Sequence, residues 1–367
     1  MQRISTNNLR PGMIVAKNIY SADGQLLLCA GVALTAAYIR RLHQLDIPSI
    51  YIKAENFPDI EIPELLCEQT RVQAVKNIQK AFENVRLSHK VDVEAVQPVV
   101  KSIVAEIIKN RSAMIHLTDI RLYDDYTFAH SVNVCALATM IAVTRGYSQT
   151  RIEELALGAL LHDIGKTVIP LDVLNKPGKL DGDELTVMQS HSEVGFELLR
   201  KSCADMSVVP MHVAYQHQEK FDGSGYPRGL ASYDIHEYAR IVAIADVYDA
   251  LTSDRPYRKA MLPHQAYDIL LKSAGTHFDS DILKSFIYHI AVYPVGSTVQ
   301  LSTGDFGVVI SVPEGLPFKP AVKLIADRNK ASIHNGEIIE LEHCSNKFVY
   351  KVLDESEVLT LCSCYKK

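Results

Sequence analysis

The stretch Leu160-Leu161-His162-Asp163-Ile164-Gly165-Lys166 places an imidazole beside a carboxylate inside an apolar run. The run is typical of a buried helix. Adjacent helical residues point about 100° apart, so His162 and Asp163 can both face one cavity. A charged carboxylate in apolar surroundings is costly unless a positive group compensates it. The pair therefore indicates either a structural ion pair or a bound metal ion.

Length and composition limit the classes of protein to consider. The chain has 367 residues, enough for two or three domains. Its 47% hydrophobic and 22% charged residues are typical of ordinary globular cores. A net charge of −5 argues against a partner as large as DNA or RNA, because no basic surplus exists to neutralise phosphates. A small anionic ligand remains open, since a local cluster of Arg and Lys would be sufficient to bind it.

The sequence contains no clear membrane or export signal. Its first residues have no apolar core of the signal-peptide kind. The longest apolar run, Val132 to Val143, is short and contains Asn133 and Thr139, which favours a core helix over a membrane span. The seven cysteines are scattered and odd in number, as expected for reduced thiols. We therefore expect a cytoplasmic protein.

The first part of the chain predicts a small module and a connector. Residues 1–58 are expected to form a β-rich module with one helix at Ala36 to Leu45, and we interpret it as a regulatory or docking module. Residues 59–117 contain two amphipathic stretches, Val72 to Val85 and Val96 to Ile107. Two such helices are compatible with a partner-binding or homodimer surface, and equally with a helical hairpin that covers the next domain.

The rest of the chain divides into a helical and a β-rich segment. Residues 118–292 have few strand signals and predict an almost purely helical domain. Residues 293–367 contain short strand patterns separated by turn signals such as Asn335-Gly336, and predict a small β-rich module. Its polar tail is expected to be disordered from about Ser356.

Six polar residues recur on the predicted inward faces of helices in the central segment. They are His130, His162, Asp163, His191, His217 and Asp246. Burying so many imidazoles and carboxylates together without compensation would cost many kcal/mol. A dinuclear metal site removes that cost, with Asp163 as the natural bridge between two cations. Mixed nitrogen and oxygen ligands favour iron, manganese or another transition metal over calcium.

The motifs in this segment resemble those of the HD-GYP phosphodiesterases, a branch of the HD-domain metal hydrolases. Three ordered blocks match, over a region from about Leu117 to Val292. They are His162-Asp163-x-x-Lys166, Asp222-Gly-Ser-Gly-Tyr-Pro-Arg-Gly-Leu230 with Ala245-Asp246 through Arg258, and Gly275-Thr-His-Phe-Asp279. The resemblance implies a mainly α fold, with an all-helical HD-type core between the small N-terminal α/β module and the C-terminal β-rich module.

The resemblance also implies an activity and residue roles. The family hydrolyses the bacterial second messenger cyclic di-GMP to linear pGpG or GMP by attack of a metal-bound hydroxide, and some members act on related cyclic dinucleotides. By position, two divalent metals, iron or manganese, would be held by His130, His162, Asp163, His191, His217 and Asp246. Asp163 and Lys166 would be catalytic, with Lys166 on the scissile phosphate. The substrate-binding positions would be Lys166, Gly225, Tyr226, Pro227, Arg255 and Arg258.

Two positions depart from the family pattern. Gln218 follows His217 where a second histidine is usual, and an amide is a poorer ligand for iron or manganese. Tyr126, with Asp125 beside it, stands where three-metal members have a glutamate, so we expect two metals at most. Gln218 motivates a rival hypothesis, in which the domain binds cyclic dinucleotides as a sensor or partner-binding protein with impaired turnover. A nucleotidase acting on mononucleotides is a more distant alternative, disfavoured by the Gly225-Tyr226-Pro227 loop.

Overall fold

The computed structural model describes residues 1–21, 25–45, 47, 49–53, 60, 64–110, 126–176, 178–202, 207–253 and 260–363. These residues divide into two compact units. One comprises the described parts of Leu65–Arg111 and Asp125–Ile287, and the other those of Met1–Glu64 and Tyr288–Lys367. The predicted helical domain and its connector thus lie in one unit, and the two ends of the chain lie in the other.

The helical unit is built from eleven helices in chain order. They are α2 (Glu68–Ser88), α3 (Val93–Lys109), α4 (Tyr126–Thr144), α5 (Gln149–Leu160), α6 (Leu171–Leu174), α7 (Gly182–Gln189), α8 (His191–Ser202), α9 (Val209–Gln216), α10 (Glu237–Thr252), α11 (Pro263–Lys272) and α12 (Ser280–His289). Helix α4 packs between α5 and α10, and α9 packs against both α5 and α8. These helices surround the predicted metal ligands.

Helices α2 and α3 form a hairpin on this core. Ile78, Val85, Ile103 and Ile107 are fully buried, and both helices pack against α4. This arrangement agrees with the second of the two interpretations of the connector, a hairpin that covers the next domain. The apolar stripes are occupied within the chain, so they give no support to a homodimer surface.

Helix α4 explains the longest apolar run in the sequence. Thr127–Thr144 is long and apolar enough to cross a membrane by length and composition, but 78% of that window is buried inside the structure. The helix also contains His130, whose side chain is buried. We conclude that α4 is a core helix, as the sequence predicts.

The N-terminal part of the second unit has two small sheets and one helix. Its elements are β1 (Gln2–Ser5), β2 (Ile14–Val15), β3 (Ile19–Tyr20), β4 (Leu26–Leu28), α1 (Ala36–Gln44) and β5 (Ser49–Lys53). Strand β5 pairs antiparallel with β1 and β2, while β3 pairs with β4. The predicted helix and the strand at Ser49–Lys53 are present, and the predicted turn at Ser21 to Gly24 lies largely outside the described residues.

The C-terminal part is a five-stranded antiparallel sheet with the order β10-β6-β7-β8-β9. The strands are β6 (Thr298–Leu301), β7 (Phe306–Ser311), β8 (Ala321–Ala326), β9 (Ile338–Glu340) and β10 (Val349–Val352). The predicted β-rich module is therefore present. The sequence analysis missed β10, in which only Val349 is buried and the alternating pattern is weak.

The prediction of a disordered tail from about Ser356 is wrong. Residues Glu355–Ser363 form a helix, α13. Its Val358 and Leu361 are buried one turn apart against Phe306 and Val308 of β7. A polar composition hid these two apolar positions, which are sufficient to dock a short helix onto a sheet.

Residues from the two ends of the chain pack together in this unit. Met1 and Tyr51 pack against the core of the C-terminal sheet, and Leu359 of α13 packs against the N-terminal core. The Glu355 carboxylate accepts hydrogen bonds from the Ser5 backbone N–H and the Asn8 amide, both at 2.8 Å. The predicted boundaries at 58 and 293 separate segments that fold against each other here.

Replacing Leu361 with alanine is expected to destabilise this unit by about 2–5 kcal/mol, because the side chain is buried and its loss leaves a cavity. Thermal unfolding of the full chain would measure the change. Phe348→Ala is the matched control, since Phe348 is 54% exposed and its truncation should have little effect. Equal melting temperatures for Leu361→Ala and wild type would mean that α13 does not contribute to the fold.

Candidate metal centre

His162 and Asp163 lie in a turn and not within a helix. Helix α5 ends at Leu160, and a 3-10 helix begins at Ile164. The Ile164 N–H donates to the Leu161 carbonyl at 3.0 Å and the Lys166 N–H to the Asp163 carbonyl at 2.9 Å. The expectation that a continuous helix presents this pair is therefore wrong. The tighter turn aims both side chains into the cavity beyond the end of α5.

Gly165 explains why the chain turns there. A Cβ atom at this position would lie 1.9 Å from the His191 carbonyl oxygen and 2.7 Å from the Gly195 nitrogen. The turn and α8 are thus in backbone contact, which only glycine permits. This contact brings His191, the first residue of α8, beside Asp163.

The predicted ligands come from five places in the helical unit. His130 lies in α4, His162 and Asp163 in the turn after α5, His191 at the start of α8, His217 just after α9, and Asp246 in α10. All except Asp246 are at most 3% exposed, and Asp246 is partly buried, with 15% of its side chain exposed. The sequence analysis placed each on an inward helix face, whereas three of the histidines stand at or beyond helix ends.

Three histidines are anchored in the same way through Nδ1. His162 and His191 place Nδ1 2.7 Å from the carbonyl oxygens of Ala159 and Met188, and His217 places Nδ1 2.9 Å from that of Ala214. A carbonyl can only accept, so each Nδ1 carries the proton. The lone pair of each Nε2 is then available to a metal, as in most protein metal sites.

The Nε2 atoms converge on the two oxygens of Asp163. His191 and His217 lie 3.5 and 3.6 Å from Oδ1. His162 and His130 lie 3.4 and 3.8 Å from Oδ2. The carboxylate therefore faces two groups of imidazoles, one at each oxygen, which is the arrangement expected of a bridging ligand.

Several buried atoms here lack the partner that burial requires. Among the described residues, His162 Nε2 and Asp163 Oδ1 make no hydrogen bond. His191 Nε2 and His217 Nε2 face each other at 3.2 Å, although both are acceptors when Nδ1 is protonated. Buried lone pairs in such contact are costly without a cation between them. The donor atoms of three overlapping groups lie within 4.8 Å of one another: His130-His162-Asp163, His162-His217-Asp246 and Asp163-His191-His217. The residues present thus fit divalent metal ions.

The protonation states also suit a metal. Burial raises the pKa of Asp163, but Lys166 and His162 outweigh it and hold that pKa well below the ordinary value. Burial likewise lowers the pKa of His191 to about 3, so its imidazole is neutral near neutral pH. For His130, burial lowers the pKa but hydrogen bonds to Asp246 and Asp249 raise it to about 9. Ionised carboxylates thus favour a cation at this place, and metal binding would displace a proton from His130.

Lys166 and Gln218 border the ligands. The Lys166 amine donates to Asp163 Oδ2 at 2.5 Å, and 27% of its side chain is exposed. The Gln218 amide nitrogen donates to Asp246 Oδ2 at 3.2 Å. Gln218 therefore contacts a predicted ligand from the side of its amide nitrogen, which cannot coordinate a metal.

The Gly225-Tyr226-Pro227 loop is held close to the ligand His217. A Cβ at Gly225 would lie 2.3 Å from the Lys220 nitrogen and 2.5 Å from the Glu219 Cα. The Tyr226 N–H donates to the Gln218 carbonyl at 3.2 Å, and the Tyr226 ring stands edge-on to His191 with centroids 6.2 Å apart. The Tyr226–Pro227 peptide bond is cis.

Two buried carboxylates near the site were not assigned a role from the sequence. Glu219 accepts the backbone N–H groups of Arg228 at 2.8 Å and Leu230 at 3.0 Å, which holds the loop after Pro227. Asp249 lies 2.7 Å from His130 Nδ1. The available signal for Asp249 is its position one turn after Asp246 in the same helix, since residues three apart share a face.

Some predicted positions lie outside the described residues. These are Arg255, Arg258 and Asp125, together with the side chain of Tyr126. The predictions for substrate phosphates and for a third metal therefore remain predictions.

Comparisons with known proteins agree with this arrangement. The family model described as "HD domain" matches residues 102–282, and one described as "KOW domain associated with HD domain" matches residues 298–361. The chain is 35% identical over 276 residues to a cyclic di-GMP phosphodiesterase of Pseudomonas aeruginosa, covering 75% of this chain and 65% of that protein. It is 34% identical over 213 residues to 3'3'-cGAMP-specific phosphodiesterase 2 of Vibrio cholerae, covering 58% and 38%. The chain thus spans less than two thirds of the length of either relative.

A solved structure shows the same fold. The HDG"Y"P protein of Bdellovibrio bacteriovorus superposes with a TM-score of 0.51 and 21% identity, over 77% of this chain and 97% of that one. The fold and the histidine–aspartate cluster thus define an HD domain, a class of metal-dependent helical domains. Within that family the chain belongs to the HD-GYP branch, whose motifs lie at His162-Asp163 and Gly225-Tyr226-Pro227.

Proposed function

We propose that the protein is a metal-dependent phosphodiesterase that opens a cyclic dinucleotide, with cyclic di-GMP as the first candidate and linear pGpG or GMP as product. The observation that supports this most is the position of Asp163. Its two oxygens face two separate groups of imidazoles at 3.4–3.8 Å, as a bridge between two metals requires. A paired-metal site suits displacement at a phosphate ester.

We assign the ligands to two groups that share Asp163. His191 and His217 would hold one ion with Oδ1. His130, His162 and Asp246 would hold the other with Oδ2. Iron and manganese suit these nitrogen and oxygen donors. When bound, such ions lower the pKa of water and neutralise charge on a phosphate.

The chain's own residues would bind and orient the substrate. The Lys166 amine is partly exposed, so its exposed end can turn from Asp163 to a phosphate oxygen and stabilise negative charge there. The loop at Gly225, Tyr226 and Pro227 would form one wall of the pocket, because Tyr226 stands against His191. Arg255 and Arg258 are proposed as a clamp on the substrate phosphates.

The two relatives named above differ in their substrates, cyclic di-GMP for one and 3'3'-cGAMP for the other. The test should therefore include both cyclic dinucleotides. Full-length protein, reconstituted without oxygen with ferrous iron or with manganese, would be incubated with each and the products separated by chromatography. A linear dinucleotide or mononucleotide product supports the proposal. Turnover of GMP or dGTP alone would contradict it and favour the nucleotidase alternative.

A second candidate function follows from Gln218. Its amide nitrogen contacts Asp246, so neither amide atom supplies the imidazole that the family pattern has at this position. In this alternative the domain binds the cyclic dinucleotide as a sensor and turns it over poorly. Tight binding of the nucleotide by metal-loaded protein, without product, would favour it over the enzyme.

Changing Gln218 to histidine is expected to strengthen metal binding at the Asp246 side of the site by about 10-fold, because an imidazole replaces a neutral amide. Metal titration would measure the affinity, and product formation would be followed in parallel. Gln218→Ala is the matched control, and it should not gain affinity. If the histidine variant bound metal no better than wild type, the weak point of the site would lie elsewhere.

A further inference from the structure

His130 is held between two carboxylates of one helix. Its Nε2 lies 3.2 Å from Asp246 Oδ1, and its Nδ1 lies 2.7 Å from Asp249 Oδ2. Both aspartates belong to α10, one turn apart, while His130 lies in α4. The imidazole is thus gripped at both ring nitrogens by the neighbouring helix.

Asp249 differs from the other histidine anchors. His162, His191 and His217 are each anchored by a backbone carbonyl three residues earlier, which needs no particular side chain. His130 lies within α4, where the carbonyls of the preceding turn are bonded inside the helix. A side chain from another helix must therefore supply the acceptor for Nδ1, and Asp249 does so.

The Asp249 carboxylate is fully buried, and both of its oxygens are bonded. Oδ2 faces His130, while Oδ1 accepts from the Asn133 amide at 2.9 Å and from the Ser253 hydroxyl at 3.1 Å. These donors leave the carboxylate a single orientation. It touches none of the atoms that converge on Asp163, so its effect on the site must pass through His130.

We propose that Asp249 is a positioning residue that fixes His130 in the orientation and tautomer of an Nε2 metal ligand. The inference rests on the proposed metal centre. A carboxylate on the far nitrogen of a ligating histidine holds the ring and increases its basicity, and losing such a partner typically costs about 10–100-fold in metal affinity. Asn133 and Ser253 act one step further out, by orienting the carboxylate.

The test measures metal binding without any nucleotide. Full-length protein is stripped with a chelator and titrated with Mn²⁺ by chelator competition, and its melting temperature is recorded with and without Mn²⁺. Asp249→Ala is expected to weaken Mn²⁺ binding by about 100-fold and Asp249→Asn by about 10-fold, because the amide oxygen still accepts from Nδ1. At saturating metal, the part of the stability that depends on Mn²⁺ should fall accordingly.

Asn133→Ala and Ser253→Ala are matched controls. Each removes one donor to Asp249 Oδ1 and leaves the carboxylate against His130. Both should melt lower than wild type in the metal-free state while keeping most of the Mn²⁺ affinity and the Mn²⁺-dependent rise in melting temperature. A purely structural Asp249 predicts the same behaviour for Asp249→Asn.

The inference is overturned if Asp249→Asn binds Mn²⁺ as tightly as wild type and gains as much stability from it. The isosteric asparagine variant decides the question even if Asp249→Ala fails to fold. A wild type that binds no Mn²⁺ would overturn the metal centre itself. Failure to hydrolyse any cyclic dinucleotide would contradict the proposed function alone, because nucleotide turnover does not enter this experiment.

Discussion

Replacing Asp163 with asparagine is expected to remove both metals and to abolish phosphodiesterase activity. Both carboxylate oxygens face imidazoles, and an amide offers one neutral oxygen in place of two charged ones. The loss should exceed about 100-fold in metal affinity, the upper figure for residues that only support a ligand. Metal analysis of the purified variant and product chromatography would measure the two losses.

The control for this variant is Asp172→Asn, which changes an exposed aspartate in α6. It should retain metal and activity. Because asparagine has the shape of aspartate, Asp163→Asn should also keep the circular dichroism spectrum of metal-free wild type, which separates loss of metal from unfolding. Full metal content in Asp163→Asn would contradict a bridging role for this residue.

Replacing Gly165 with alanine is expected to destabilise the helical unit by about 3 kcal/mol or more. The added Cβ would lie 1.9 Å from the His191 carbonyl oxygen, and backbone atoms cannot move aside as a flexible side chain can. For a unit of this size the loss corresponds to a fall in melting temperature of about 6–12 °C. Metal affinity should fall as well, because the turn with Asp163 and the start of α8 would separate.

Gly182→Ala is the matched control for this change. Gly182 begins α7, and a Cβ there meets nothing within 4 Å. Alanine in a helix is favoured over glycine by up to about 1 kcal/mol, so this variant should melt at or slightly above the wild-type temperature. If Gly165→Ala melted like Gly182→Ala, the close contact between the turn and α8 would not be required.

The extent to which the site could be predicted varies with the kind of residue. His130 and Asp246 stand out because imidazoles and carboxylates on apolar helix faces are costly without a ligand. Glu219 and Asp249 do not, because their partners are backbone N–H groups and a histidine far away in the sequence. A sequence pattern identifies an unusual residue type at a position, whereas a hydrogen-bond partner depends on which helices become neighbours.

The same limit applies to the fold. The apolar stripes of α2 and α3 predict two helices, but not whether those stripes cover a partner or the chain's own core. The polar tail conceals Val358 and Leu361, whose burial depends on a sheet formed by earlier residues. The packing of Leu359 against the N-terminal core joins segments with no local relation in the sequence.

By itself, the sequence determined the set of metal-ligating side chains, the helical class of their domain and the β-rich end of the chain. Residue type and periodicity report burial and chemistry at each position, and these suffice for such conclusions. Only the tertiary structure decided that His162 and Asp163 lie in a turn, that Asp163 divides the imidazoles between its two oxygens, and that Asp249 holds His130. These features depend on distances between elements that meet only after folding, at contacts as close as that of Gly165 with α8.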